Sequence, residues 1–350
     1  MWREATGRLA EERTLEKEDF LVLMEELPRE GEQELFRRAR ETARSVFGRE
    51  IYVRGLIEIS NVCRNNCYYC GIRRGNREAD RYRLSREEIL ACCGNGYSLG
   101  FRTFVLQGGE DPAQDDRWVE ETVAAIRMRY PDCAVTLSLG EKTREAYRRF
   151  REAGADRYLL RHETADPVHY AKLHPAEMSY ENRIRCLWDL KELGYQVGTG
   201  FMVGSPYQTL DTIWEDLQLI KKLRPEMIGI GPYLVHHGTP FAGRKNGSMI
   251  WTLRLLAIFR LLYPEVLLPS TTALNTIHPE GRSLGILAGA NVLMPNLGPA
   301  ERREKYELYD HKRSTGGEAA EGIRLLETIL GKIGYTISAS RGDYGEHGVH

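Results

Sequence analysis

Cys63, Cys67 and Cys70 stand close together in SNVCRNNCYYCGIRR, spaced C-x3-C-x2-C. Two thiols suffice for a disulfide, and four are the usual complement of a structural zinc site. Three leave one coordination position open. Cysteine thiolates are the ligands of iron–sulfur clusters as well as of zinc. The chain has no second C-x-x-C pair, so a zinc site would need a histidine to complete it, and that alternative stands beside the cluster. A 4Fe-4S cluster on three cysteines would instead present one iron to a small molecule. The remaining four of the seven cysteines, Cys92, Cys93, Cys133 and Cys186, are scattered and are expected to be small buried hydrophobes.

The frame that positions this loop is an alternation of short β-rich runs with longer amphipathic stretches. Strand candidates begin at Tyr52, Thr103, Ala134, Arg157, Gln196, Met227, Leu267 and Asn291. Several are apolar at successive positions, as in strands covered on both faces. Helix patterns lie between them. Ser85 with Glu88 reads as a capping box, and Gly100, Gly154 and Gly194 stand where helices should stop. Repeated strand–helix units imply a parallel sheet, and eight of them imply an α/β fold, a single (β/α)8 TIM barrel over residues 51–300. An open doubly wound sheet is the alternative, but no G-x-G-x-x-G follows the first strand. Residues 1–50 read as a charged helical extension packed under the barrel bottom. Residues 301–350 read as a helical cap followed by a loose polar tail, with His347 and His350 exposed. The cysteine loop directly follows the first strand, which places it at the C-terminal face, where barrels of this kind carry their sites.

The spacing C-x3-C-x2-C with an aromatic residue, Tyr69, before the last cysteine resembles the signature of the radical S-adenosylmethionine (SAM) superfamily. The resemblance implies one 4Fe-4S cluster on Cys63, Cys67 and Cys70, with SAM chelating the open iron. Reductive cleavage of SAM would then give a 5′-deoxyadenosyl radical, the protein contributing orientation and exclusion of water. It further implies that Gly108, Gly109 and Glu110 of LQGGED hold the methionine amino group, with Tyr69 among the SAM contacts. Glu163 of RHETADP would meet the ribose hydroxyls, Arg183 the SAM carboxylate and Met202 the adenine. Singly, Arg183 reads as a helix-surface charge and Met202 as core filler. Agreement across five strand ends favours the cofactor.

IEISNVCRNNCYYCGIRRGN, LQGGEDP, TLSLGE, GADRYLLRHETADP, SYENR, MVGSPYQT, GIGPYLVHHGTP, LLPSTTALNTI and GANVLMPN together resemble the HydE maturases of the FeFe-hydrogenase. The likeness runs from about residue 45 to about residue 310. It implies a monomeric enzyme acting on a cysteine-bound iron carbonyl cyanide precursor of the two-iron subcluster of the hydrogenase H-cluster. Arg161 with Thr271 and Thr272, on the fourth and seventh strands, would suit a substrate carboxylate. Thr136 and Ser138 share one face of the third strand. His162 points away from Arg161 and Glu163 by the same alternation and reads as structural. Tyr306 and Tyr309 would cap the cavity, or else form a helix packing stripe. Some HydE members hold a second cluster on cysteines after this region, but DHKRSTGGEAAEGIRLL has none, so one cluster is expected. A methylornithine-synthase-like mutase acting on an amino acid is the alternative. Biotin-synthase-like sulfur insertion is disfavoured, because no cysteine falls on the inward part of a strand.

The charge balance narrows the partners. With 49 Lys+Arg against 50 Asp+Glu, the formal charge of −1 argues against nucleic acid or an anionic membrane as partner. The charged start lacks the apolar core of a signal peptide, and a cytoplasmic protein is expected. Arg64, Arg73 and Arg74 beside the cysteines could receive an acidic electron donor such as flavodoxin or ferredoxin.

Overall fold

The computed structural model describes residues 1–312 and 319–345. Three helices open the chain, α1 (Trp2–Glu12), α2 (Lys17–Glu25) and α3 (Arg29–Phe47). The barrel follows as β1 (Glu50–Val53), β2 (Gly55–Ser60), α4 (Arg86–Ser98), β3 (Thr103–Gly108), α5 (Asp116–Arg129), β4 (Ala134–Ser138), α6 (Arg144–Glu152) and β5 (Arg157–Leu159). It continues through α7 (Pro167–Leu173), α8 (Tyr180–Glu192), β6 (Gln196–Thr199), β7 (Met202–Val203), α9 (Leu210–Leu223), β8 (Met227–Ile228) and β9 (Gly231–Pro232). The remainder is α10 (Met249–Leu262), α11 (Thr272–Ile277), α12 (Gly281–Leu287), β10 (Val292–Leu293), α13 (Ala300–Arg303), α14 (Ala319–Lys332) and β11 (Thr336–Ile337). Among the described residues, no helix is long and apolar enough to cross a membrane.

Six strands form one parallel sheet in the order β2-β3-β4-β5-β6-β8. The ring closes through two staves held by single parallel bridges, Met227 with Leu267, Pro269 with Val292, and Asn296 with Leu56. The amide of Ile228 donates to Leu267 O at 3.0 Å, that of Ser270 to Val292 O at 3.0 Å and that of Leu297 to Leu56 O at 2.7 Å. Pro269 and Pro295 have no N–H to give, which keeps these two staves from forming longer ladders. The (β/α) barrel is therefore closed, with six regular staves and two minimal ones.

Local signals act as expected. Ser85 Oγ accepts the Glu88 amide at 3.2 Å while Glu88 Oε2 accepts the Ser85 amide at 2.7 Å. Gly100, Gly154 and Gly194 end their helices at φ +91°, +114° and +76°. Cys92, Cys93, Cys133 and Cys186 are buried free thiols.

Two placements differ from the sequence expectation. The N-terminal helices do not lie under the barrel; they cover its flank. α3 packs on α10 and α12, α1 on α10, and α2 on α9 and α10. The cause is α10 itself, MIWTLRLLAIFRLL, which apart from Arg254 and Arg260 is apolar on nearly every side, so that it is buried from Thr252 to Leu261 and needs cover on its outer side as well. Arg254 on α10 ties the extension down by donating to Leu27 O at 3.1 Å and pairing with Glu32 at 2.5 Å.

The tail is the second difference. β11 pairs in parallel with β1, and the chain then crosses the N-terminal ends of the staves. There Arg341 O accepts Thr103 Oγ1 at 2.8 Å and Arg157 Nη2 at 3.1 Å, and Asp343 pairs with Arg157. Thr103, Arg157 and Gln196 are the first residues of β3, β5 and β6, so the tail stoppers the barrel bottom. His347 and His350 lie outside the described residues.

Candidate active site

β2 ends at Ser60 and releases the cysteine loop at the C-terminal mouth. Its backbone is held by turns of its own and by side chains. Arg81 donates to four carbonyls of the loop region, Asn61 O at 2.6 Å, Ile72 O at 2.8 Å, Arg73 O at 2.7 Å and Asn76 O at 2.9 Å. Asp111, after β3, receives Ser60 Oγ at 2.6 Å and Arg83 Nε at 2.6 Å. Gly109 allows β3 to pass the loop at close quarters, since a Cβ there would meet Val62 O at 2.3 Å and Cys63 Cβ at 2.7 Å.

A second clamp comes from α7 and the residues after it, an insertion between β5 and α8. Tyr68 donates its amide to Leu173 O at 3.0 Å. His174 Nδ1 lies 3.0 Å from Tyr170 O, so it is the donor there, and the Tyr69 hydroxyl donates to His174 Nε2 at 3.1 Å. Met178 Sδ lies 3.7 Å from Cys67 Sγ. Neither Arg81 nor His174 stood out in the sequence, because each acts through backbone or ring contacts that no motif spells.

These elements surround a cavity of about 370 Å³ at the barrel mouth. Cys63, Cys67, Cys70, Tyr69, Gly108, Gly109 and Glu110 line it, as do Ser138, Arg161, Glu163, Arg183, Met202, Thr271, Thr272 and Tyr306. Tyr309 and Gln107 join them, Gln107 Nε2 standing 3.4 Å from the Tyr306 hydroxyl. KYELY is not helical, α13 ending at Arg303, so the tyrosines are cavity groups and not a helix stripe. Thr271 and Thr272 open α11 instead of sitting on a strand, and Arg161 stands beyond the end of β5.

Thr136 is the exception. Only 1% exposed, it faces Arg54 and Arg157 at the barrel floor, away from the mouth. Side chains two apart along a strand share a face but sit about 7 Å apart in height. Ser138 reaches the cavity and Thr136 does not. His162 is fully buried outside the cavity, with Nδ1 2.8 Å from Thr199 Oγ1, which fits the structural role expected of it.

Several cavity groups are already matched. Arg64 pairs with Glu110 at 2.9 Å, Arg183 Nε with Glu141 at 2.6 Å, and Glu58 with Lys312 and, at 2.7 Å, Asn296. Others are not. Glu163 Oε2, Arg161 Nε and Thr271 Oγ1 are buried without a hydrogen-bond partner. Arg161 Nη2 comes within 3.4 Å of Glu163 Oε2, but without hydrogen-bond alignment. Glu163 is held at φ +66°, an uncommon conformation for a non-glycine residue. Buried polar atoms left open around a cavity suit a ligand that brings hydroxyl, carboxylate or ammonium groups.

The thiols fit a cluster better than a single ion. Burial pushes all three up, Cys70 to about 12, so a bound metal would be what makes them thiolates. Among the described residues, the group of His, Cys, Asp or Glu gathered closely enough for one ion is His236, His237 and Asp310, with ligand atoms within 4.8 Å of one another. The three cysteine sulfurs do not form such a group; around one zinc ion, bonds of about 2.3 Å would put thiolates about 3.8 Å apart. The histidine trio is not arranged for an ion either. Its rings stack at 4.5 Å and 21°, and His236 Nδ1 accepts the Gly238 amide at 2.9 Å.

Residues 57–220 match the Radical SAM superfamily. The chain is also 46% identical over 312 residues to the [FeFe] hydrogenase maturase subunit HydE of Thermotoga maritima, covering 88% of each chain. The chain belongs to the HydE family. As a HydE-type radical SAM enzyme it also has more distant relatives. It is 30% identical to 3-methylornithine synthase of Methanosarcina acetivorans, over 85% of this chain and 83% of that one. Its fold superimposes on the crystal structure of methylornithine synthase (PylB) with a TM-score of 0.83 at 25% identity, covering 95% and 97% of the two chains. Membership of the radical SAM superfamily brings a 4Fe-4S cluster and SAM as cofactors, and the HydE family a part in FeFe-hydrogenase maturation.

Proposed function

We propose that Cys63, Cys67 and Cys70 are the three ligands of the one 4Fe-4S cluster, and that the substrate is a cysteine-bound iron carbonyl cyanide precursor of the hydrogenase two-iron subcluster. When bound, the cluster and SAM supply a 5′-deoxyadenosyl radical. The supporting observation is three thiols lining a cavity that also carries the unsatisfied Glu163, Arg161 and Thr271. The Gly108–Glu110 turn and Tyr69 hold the methionine end of SAM, Arg183 its carboxylate, Glu163 its ribose and Met202 its adenine. Arg161, Ser138, Thr271, Thr272 and Tyr306 bind the substrate; Thr136 has no part in it. The enzyme works as a monomer in the cytoplasm and draws its electron from a flavodoxin or ferredoxin.

The relationship to methylornithine synthase favours a second reading, a mutase acting on an amino acid. Such an enzyme needs a carboxylate available to a side-chain ammonium. Glu58 and Glu110 are committed to Lys312 and Arg64, and in this reading Glu163 is taken by the SAM ribose, which favours the iron complex. The test is 5′-deoxyadenosine formation by anaerobically reconstituted protein with dithionite and SAM, with Cys63→Ala as blank. Stimulation by the iron dicarbonyl cyanide cysteine complex supports the maturase reading. Stimulation by lysine alone moves the assignment to a mutase.

A further inference from the structure

An exposed aromatic and cationic patch adjoins the cysteine loop and has no part in the cavity. Tyr207, in the loop before α9, is 47% exposed although it is a large aromatic, and it is held at φ +67°. That conformation costs on the order of 1 kcal/mol or more in a non-glycine residue. Two cations from separate segments flank the ring. Lys172 Nζ, on α7, lies 5.4 Å from its centroid, and the Arg244 guanidinium lies 4.8 Å from it, donating to the Tyr207 hydroxyl at 2.5 Å. Among the described residues, neither cation is paired with a carboxylate.

The patch leads inward. Tyr207 packs edge-on against Phe241 at 6.2 Å between centroids, and Phe241 packs edge-on against Tyr68 at 6.1 Å. Tyr68 is the residue after Cys67. Two ring-to-ring steps therefore connect solvent to the cysteine loop through close-packed side chains. Surface cations beside an exposed aromatic ring are the complement of an acidic protein face with an apolar centre.

We propose that Tyr207, Lys172 and Arg244 form the docking surface for an acidic one-electron carrier protein whose cofactor edge reaches its own surface. The inference rests on the cluster assignment of Cys63, Cys67 and Cys70, and it locates the entry point that assignment leaves open. In the transfer the carrier is oxidised by one electron and the cluster reduced by one. The site differs from the arginines flagged in the sequence: Arg64 and Arg74 are already paired with Glu110 and Glu177, and Arg73 is half-buried with its Nε turned away from solvent.

The test compares the parent with a Lys172→Glu/Arg244→Glu variant, both reconstituted, using a flavodoxin as carrier. Lys221→Glu/Lys222→Glu, at the far end of α9 on the opposite side of the barrel, makes the same charge change as a control. Calorimetry should show the patch variant binding flavodoxin about tenfold or more weakly, and parent binding should weaken as salt rises. Dithionite-driven SAM cleavage should stay within about twofold of the parent, while flavodoxin-driven cleavage falls with the affinity. Undiminished flavodoxin binding and turnover in the patch variant would overturn the proposal, as would an equal loss in the control. A parent that cleaves SAM with dithionite but neither binds nor accepts electrons from flavodoxin would also overturn it. Absence of dithionite-driven cleavage in the parent would instead sink the radical reading beneath it.

Discussion

The Asp216 carboxylate and the His162 imidazole, both wholly sealed from solvent, meet at 3.3 Å behind the turn that presents Glu163. The same Asp216 oxygen accepts the Ala165 amide at 2.5 Å, while Glu163 donates its own amide to Gly200 O at 3.1 Å. The positive-φ turn at Glu163 is thus pinned on both sides. Asp216→Ala strands the Ala165 amide, worth about 1–3 kcal/mol when buried, and removes the carboxylate that His162 Nε2 meets without hydrogen-bond alignment. A loss of about 2 kcal/mol is expected in urea unfolding of the cluster-free protein, with weaker SAM binding. Asp216→Asn keeps an acceptor for Ala165 and should lose less. A change below 1 kcal/mol in Asp216→Ala would show that the pair does not hold the turn.

His174 predicts a pH dependence. Burial, with the Arg183 charge adding to it, pushes its pKa down to about 3. An unfolded histidine protonates near pH 6.5, so below that pH the unfolded chain binds a proton that the native state refuses. Stability contributed by this group is complete above about pH 6.5 and is lost progressively as pH falls towards about 3. Between pH 7 and pH 5 the loss from His174 alone is about 2 kcal/mol. His174→Gln should flatten the difference between urea melts at those two pH values by about that amount. An identical pH slope in the variant would mean that the imidazole titrates freely.

Gly108 and Gly109 look equivalent in sequence and are not equivalent in space. A Cβ on Gly108 would meet Ile59 Cγ1 at 3.2 Å, a contact that a small shift relieves, whereas Gly109 abuts the Val62 carbonyl and Cys63 Cβ. Gly109→Ala should displace Cys63 and cut iron incorporation severalfold on anaerobic reconstitution, with far-ultraviolet dichroism unchanged. Gly108→Ala should load iron nearly as the parent does. Equal loading in both would show that the loop has room to move.

The mouth was legible because its chemistry follows strand ends, and strand ends show as breaks in apolar runs. Cys63, Glu110, Glu163 and Met202 could each be placed by counting from the end of a stave. The height of a residue within the barrel is harder to count, and that is where Thr136 was misplaced; two residues along one face separate floor from mouth. α7 went unrecognised because Pro167–Leu173 is too short to show a helical period. The flank position of α1 to α3 depends on which barrel helix lacks outer polarity, a tertiary property that α10 declares only once the ring is closed. The tail's polarity suggests a loose end, but polar residues are what buried arginines need.

That last point makes the barrel floor testable. Arg54 and Arg157 are 1% and 3% exposed, and burial pulls both arginine pKa values down, more strongly for Arg54. Arg157 is compensated by Asp343 and Arg341 O, Arg54 by Gly342 O at 3.3 Å and Met227 Sδ at 3.0 Å. Of these Asp343, Arg341 and Gly342 come from the tail, while the barrel adds Thr103 Oγ1 at 3.0 Å and Gln196 Oε1 at 3.1 Å to Arg157. Deleting residues 341–350 would leave two neighbouring guanidinium groups with open hydrogen-bonding positions under the ring. Breaking one buried charge pair costs about 3–5 kcal/mol, so the truncated chain should unfold at markedly lower urea concentration. Asp343→Asn, which keeps the tail in place but removes its charge, should lose a smaller part of this. Sulfate should restore some stability to the truncated chain by entering beside the arginines, and should do little for the parent. A truncated chain as stable as the parent would mean that water fills the floor as well as the tail does.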